Sequence, residues 1–517
     1  MRKLFAASLA LWLLPGCPEK KEAPLTPLPA PGQEIPKATP PPLGPPPKTE
    51  EISITSTSPE ALEAFKRGRA HAEQVRIPEA LVEFEKAVRL DSRFAVALAY
   101  LGFFTATEEG GAMLDHAVTL AQALPPAEKL LVELLKSWRQ GDSATLRAQR
   151  KQLKELAPTD WRVHLLIGMG AQEDRQWQEA AAAFTEAIRL NPDAVAAYNL
   201  LGYAQMNQSK YEDAIATLTS STLKAPTEAN AFDSLGEAQL RSGKFEAAEV
   251  SFAKAAELAP KAWAALIGVA QSRFLRGDWK KGREAIAAAQ VAAELPADKV
   301  EASSCLVWSY LAEGRTDDAL KAAAALEAEA KQRHQGLPYG MAPVLRSIAY
   351  TQAGDYAKAV KELPTAMERV RKAGIQGDGL AKLYRTALLW KLIAEVRQPR
   401  MKDADQTFTF LQKAVSMSMS AESTSARSHA AGLLSLGHGE KQIALQQLLE
   451  CNEDDFLCRT DLASVQELMG DSPAAQATRK AVVAANRREA PYLYARALAL
   501  GLKPPHPPGP PPKGKRP

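Results

Sequence analysis

Three consecutive stretches decide the fold: WRVHLLIGMGAQEDRQWQEAAAAFTEAIRLNPDA (residues 161–194), VAAYNLLGYAQMNQSKYEDAIATLTSSTLKAPTE (195–228) and ANAFDSLGEAQLRSGKFEAAEVSFAKAAELAP (229–260). Gly168, Gly202 and Gly236 are each 34 residues apart, and so are Ala180, Ala214 and Ala248. The same interval separates Phe184, Leu218 and Phe252, then Ala187, Ser221 and Ala255, then Pro192, Pro226 and Pro260. Five columns in register across three units make an internal repeat, and a period in this range means stacked supersecondary units. Within each unit the apolar residues recur at helical spacing. Each Pro falls where a helix must stop, because the residue before Pro is driven out of the helical region.

These columns resemble the tetratricopeptide repeat, a helix–turn–helix unit. The resemblance implies small residues where the paired helices approach (Gly202 with Ala214, Gly236 with Ala248), a large apolar wedge between them (Phe184, Phe252), and a Pro closing the second helix (Pro192).

Weaker copies surround this core. Gly68, Ala80, Phe84 and Ala87 mark an earlier unit, followed by a helical stretch from Phe94 to Pro158 that reads as out of register. Later units carry Gly277, Trp279 and Ile286; Gly314, Ala319 and Ala323; Gly354, Tyr356 and Ala359. Gly432, Gly439 and Ala444, then Gly470, Ala475 and Val482, mark the last two, while Ile375–Ser420 reads as helical without a repeat signature. One such unit cannot bury its apolar face alone, so neighbours must stack. The expected fold is therefore all-α, an α-solenoid winding as a right-handed superhelix, with the first helix of each pair lining the concave face. The break in register at Gln332–Gly340 predicts two arms, an N-terminal array over 51–332 and a degenerate C-terminal array over 333–502.

The ends differ in kind. Arg2 and Lys3 precede an apolar run from Leu4 to Leu14, the pattern of a secretory signal and too short for the ~20 residues a spanning helix needs. Leu14, Gly16 and Cys17 resemble a lipobox, which implies residues 1–17 are a lipoprotein signal peptide with Cys17 as the lipidated residue; Pro15 departs from the small residue usual there. No Asp follows Cys17, so an outer-membrane protein facing the periplasm is expected. Residues 18–50 form a Pro-rich linker, with twelve Pro between 18 and 48, expected to be disordered but extended, reaching up to about 95 Å at ~3.1 Å per residue. A second Pro-rich segment, basic through Lys513, Lys515 and Arg516, closes the chain over 503–517.

The 64 basic and 60 acidic residues nearly cancel, leaving +4, and no basic patch or motif suggests nucleic acid. With four Cys in 517 residues the chain is not a disulfide scaffold. Cys451 and Cys458 bracket a predicted turn and would be bridged in an oxidising compartment; two small buried thiols is the other reading. His71, His116, His164, His334, His429, His438 and His506 are scattered, and no metal-ligand spacing, nucleophile elbow or phosphate-binding loop occurs. No catalytic residue, metal site or cofactor is expected.

The resemblance also implies a binding face. Its ligand-contacting positions fall on Arg162, Met169 and Gln172; on Asn199, Tyr203 and Asn207; and on Asn230, Asp233, Glu237 and Arg241. Amides, one aromatic and both charge signs suit an extended or helical peptide. Tyr203 is expected to be exposed, so that Tyr203→Ala with Glu237→Ala would end binding and spare the fold. The leading reading is a lipid-anchored envelope adaptor for protein or peptide partners, attached to the membrane by its N-terminal lipid. An assembly lipoprotein for pilus, secretion or outer-membrane machinery competes with it, as does an envelope enzyme with accessory repeats.

Overall fold

The computed structural model describes residues 50–501, apart from 106, 375–376 and 417–420. Cys17, nearly all of the linker and the basic tail lie outside the described residues. The described residues hold 25 α-helices in tandem and no strand, an α-solenoid as expected. They form two compact units that divide between Ser242 and Gly243.

In the first unit, α1 (Pro59–Glu73) packs on α2 (Ile77–Leu90), and α3 (Ala95–Phe104) on α4 (Glu108–Leu120). The pairs α5 (Pro126–Gln140) and α6 (Ser143–Leu156), α7 (Trp161–Glu173) and α8 (Trp177–Leu190), and α9 (Val195–Asn207) and α10 (Tyr211–Lys224) follow, and α11 (Ala229–Arg241) closes the unit. The second unit opens with α12 (Phe245–Leu258), followed by α13 (Trp263–Leu275) with α14 (Trp279–Ala292) and α15 (Pro296–Ala312) with α16 (Thr316–Gln332). Next come α17 (Gly336–Gln352) with α18 (Tyr356–Lys372) and α19 (Gly377–Arg397) with α20 (Met401–Ser416). It ends with α21 (Ala421–Gly437) and α22 (Lys441–Leu449), α23 (Phe456–Leu468) and α24 (Ser472–Ala484), and a single last helix, α25 (Tyr492–Ala499).

The repeated side chains make the pairs. Phe184 and Leu218 are fully buried and press on the partner helix at Gly168 and Gly202. A methyl group on Gly168 would stand 2.4 Å from the Phe184 ring, so only glycine lets the helices close to this distance. Ala180, Ala214 and Ala248 are buried for the same reason.

Backbone conformation keeps the period better than the side chains do. The turns hold left-handed residues at Gly141, Arg175, Ser209, Gly243 and Gly277, each 34 positions after the last, with φ of 80°, 60°, 59°, 82° and 85°. Gly141 lies in the stretch expected to be out of register, which thus rejoins the period before the clear repeats begin. Beyond Gly277 the interval lengthens, to 40 between Gly314 and Gly354. The cause is helix length. α15, α16, α17 and α18 have 17 residues each, against 13 and 14 in α9 and α10. Residues 333–335 are therefore an ordinary turn where the sequence suggested an arm boundary. Arg346 of α17 pairs with Glu327 of α16 and with Glu362 of α18 at 2.8 Å, and Arg369 of α18 reaches Glu327 at 2.5 Å. These ion pairs stitch the helices across residues 332–340, and the compact units part ninety residues earlier, inside the third clear repeat.

Candidate binding face

The first helices α7, α9 and α11 carry the implied ligand positions, and the structure divides them into two groups. Arg162 is consumed by the chain itself. Its neighbour Asp160 caps α7 by accepting from the Arg162 backbone N–H at 2.8 Å, which fixes the first turn. The guanidinium then lies 4.2 Å from the centroid of the Trp161 ring and pairs with Glu73 of α1 at 2.6 Å and Glu51 at 2.8 Å. Burial opposes the Arg162 charge, but the two carboxylates hold its pKa above the ordinary value. Burial likewise opposes ionisation of Glu51, and Arg162 and Arg69 overcome it, holding the carboxyl below its usual range.

The second group lies on α9 and α11. Tyr203 is half-buried and packs against the cluster of Met206, Leu218 and Leu235. Its hydroxyl donates to Glu237 Oε2 at 3.3 Å, and Glu237 in turn pairs with Arg241 one helical turn on. Glu237 and Arg241 side chains are only 13% and 11% exposed, so the row is held in place and largely shielded from water. Asp233 is half-buried and also engaged in interactions of its own. Asn207 is exposed and folds back to donate to the Tyr203 carbonyl at 2.8 Å, and Asn230 is exposed. Asn199 is half-buried, with a buried Oδ1 that accepts no hydrogen bond; Gln172 of α7 has its Oε1 in the same condition. Met169 is half-buried. The expectation that Tyr203 stands exposed is corrected: the equivalent helix one repeat on covers it with Glu237 and Leu235.

A feature with no sequence signal lies beside this face. Residues 50–57 run extended along the first unit, held by carboxylates at helix ends. Glu50 N–H donates to Thr159 Oγ1 at 3.1 Å, Ile52 N–H to Asp160 Oδ2 at 2.8 Å, and Thr55 N–H to Glu128 Oε1 at 2.7 Å. Ser56 Oγ and Thr57 N–H both donate to Asp91 Oδ2 at 2.8 Å. Glu128 is fully buried, and burial pushes its pKa up although Thr55 donates to it.

Elsewhere two histidines are tied to carboxylates. His429 is buried and bonds Asp461 at 2.8 Å, and His438 bonds Asp405 at 2.9 Å. Burial pushes the Cys305 thiol well up, away from nucleophilic thiolate. Among the described residues no three His, Cys, Asp or Glu converge to hold a metal ion, and no helix is long and apolar enough to cross a membrane. The Cys451 and Cys458 sulfurs are joined, with Cα atoms 6.5 Å apart, tying the end of α22 to the first turn of α23.

The family model of the tetratricopeptide repeat matches residues 165–227 and 234–298. These segments are tetratricopeptide repeats. They contain all of α9 and, from Ser234 on, α11, so the Tyr203–Glu237 row belongs to a protein-interaction scaffold of that type. No curated protein matches the chain. Among solved structures, a MamA fragment from Desulfovibrio magneticus RS-1 is 19% identical over 33% of this chain and 97% of its own, with a TM-score of 0.31. PilW, titled a widely conserved type IV pilus biogenesis factor, is 18% identical over 40% of this chain and 94% of its own, at 0.35. PilF of Pseudomonas aeruginosa is 15% identical over 41% and 94%, at 0.33. Likeness at this level says nothing about what this chain binds.

Proposed function

We propose that this chain is a non-catalytic adaptor of the cell envelope, anchored through an acylated Cys17 and binding protein or peptide partners on the first-helix face of α7, α9 and α11. The observation that carries the reading is the polar row Tyr203–Glu237–Arg241 across the first helices of two consecutive repeats, next to the buried acceptor of Asn199. A buried carbonyl oxygen without a donor costs about 1–3 kcal/mol, a cost removed when the half-buried Asn199 side chain turns outward to meet a peptide N–H brought by a partner. Tetratricopeptide repeats bind protein partners, and the row is preorganised for the task because its side chains are already fixed by one another. Anchoring rests on the short apolar run from Leu4 to Leu14 and on Gly16-Cys17, and Pro18 after the Cys favours the outer membrane, facing the periplasm.

The test has two arms. Mass spectrometry of the mature protein should find an N-terminus at Cys17 with added acyl mass, and Cys17→Ser should leave the membrane fraction. Affinity capture from crosslinked membranes should lose the partner with Asn199→Leu, which removes the acceptor and keeps the branched shape, and with Tyr203→Ala. Recovery of the same partners at the same yield by both variants would remove this face from consideration.

A further inference from the structure

The first-helix face of the second unit already has an occupant. After α24 the chain turns through Asn486, at φ 46°, and α25 packs on α15 as well as on α23 and α24 before it, while hydrogen bonds tie residues 487–499 to α13 and α17. Gln271 of α13 donates its Nε2 to the Arg487 carbonyl at 2.8 Å, so a side-chain amide grips main chain rather than a particular side chain. The Arg488 guanidinium stands 5.5 Å from the centroid of the Phe252 ring. Tyr494 enters deepest. Its ring lies 5.7 Å from that of Trp308 on α15, and its hydroxyl donates to Gln352 Oε1 on α17 at 2.5 Å. Trp390 of α19 backs Trp308 at 5.8 Å. Burial lifts the Tyr494 hydroxyl far above its ordinary pKa, so it stays a hydrogen-bond donor.

We propose that the face of α13, α15 and α17 is a docking groove for a tyrosine-bearing helical segment preceded by arginine, and that residues 487–499 are its internal ligand, displaced by an outside segment of the same chemistry. This goes beyond the reading of α7, α9 and α11 and does not depend on it. Three observations separate an internal ligand from plain core. α25 has eight residues, too few to hold a helix in water without a surface to lie on. It leaves α24 through a left-handed non-glycine residue, a natural pivot. Its recognition is also divided. Tyr492, the first residue of α25, is tied back to the turn, donating to the Val483 carbonyl at 3.1 Å and accepting from Asn486 N–H at 2.9 Å, whereas Tyr494 alone reaches Gln352. The turn and Tyr492 can therefore keep their bonds when the rest of α25 lifts. Outside the groove, an ion pair from Arg487 to Asp454 at 2.6 Å holds the segment down.

The probe is a capped, labelled peptide of residues 485–501, added to the full chain and to two variants. Tyr494→Ala removes the deepest contact, and Arg487→Ser loosens the segment without touching α15 or α17. A groove closed by its own segment binds an outside peptide more weakly by the fraction of time it stands open. Both variants should therefore take up peptide at least ~tenfold more tightly than wild type. In wild type, excess peptide should speed amide exchange across 493–499 and leave α15 protected. If neither variant gains affinity and wild-type exchange does not respond, α25 is a fixed part of the core and the proposal falls.

Discussion

Tyr203 and Glu237 occupy the same position of consecutive repeats, and the phenol of one donates to the carboxylate of the other at 3.3 Å. The contact makes the binding face a structural seam as well. Tyr203→Phe keeps the ring against Met206 and Leu235 and loses only the hydrogen bond, so it should cost about 1 kcal/mol. Tyr203→Ala loses the packing too and should cost about 2 kcal/mol or more. Urea unfolding decides it: equal losses for the two variants would mean the ring contributes nothing.

The turns offer a matched pair of substitutions. Ser209 holds φ 59° without being glycine, and Gly277 holds φ 85° with open space where a Cβ would lie. Gly277→Ala should lower stability by about 1 kcal/mol through backbone strain alone, and Ser209→Gly should raise it by roughly 0.5 kcal/mol. Opposite signs in thermal unfolding are the expected result.

Asp298, in the first turn of α15, is buried beside Trp263, and burial, helped by Glu301, pushes its pKa up to about 6. The folded chain thus holds this proton more tightly than the unfolded chain, whose Asp titrates near ~3.9. Its stabilising effect is full below about pH 4 and is lost as the pH rises through about 6. Asp298→Asn, which cannot ionise, should stabilise the second unit at pH 8 by on the order of 2 kcal/mol and do little at pH 4. Denaturant midpoints at the two pH values provide the check; an equal shift at both would exclude titration as the cause.

The Cys451–Cys458 bridge closes a short loop between successive helix pairs. Reduction should cost about 2 kcal/mol by freeing the unfolded chain. Non-reducing peptide maps of protein purified without reductant should contain the joined peptide, and two alkylatable thiols there would contradict it.

Much of this architecture is written in Gly168 and Gly202, where no larger side chain lets the helix pair close, and in the large apolar residues Phe184 and Leu218 that press on them. The division at Ser242 is not, because a left-handed turn accepts Arg175 and Ser209 as well as Gly243 and leaves one repeat looking like the next. Residues 332–340 misled for the opposite reason: an extra helical turn in each helix shifts the register without opening a gap. The repeat period puts Arg162, Asn199 and Tyr203 on first helices and says nothing of their partners. Glu73 lies 89 residues from Arg162, and no periodicity connects them. The docking of residues 50–57 escaped for the same cause, since an extended backbone bonded to distant carboxylates leaves no pattern along the chain.

That extended segment has a mechanical consequence. Its bonds follow one another in order, from Thr159 and Asp160 through Glu128 to Asp91, before α1 begins. A pull applied at residue 50 and directed away from the surface loads them singly, beginning with Glu50 at Thr159, as a strip of tape is peeled. A pull along the segment loads them all together and meets far greater resistance. Tension first enters the array at the turn between α6 and α7, passes to Glu128 on α5 and then to Asp91 after α2 as the bonds break, and α1 carries none of it until the Asp91 bonds give way.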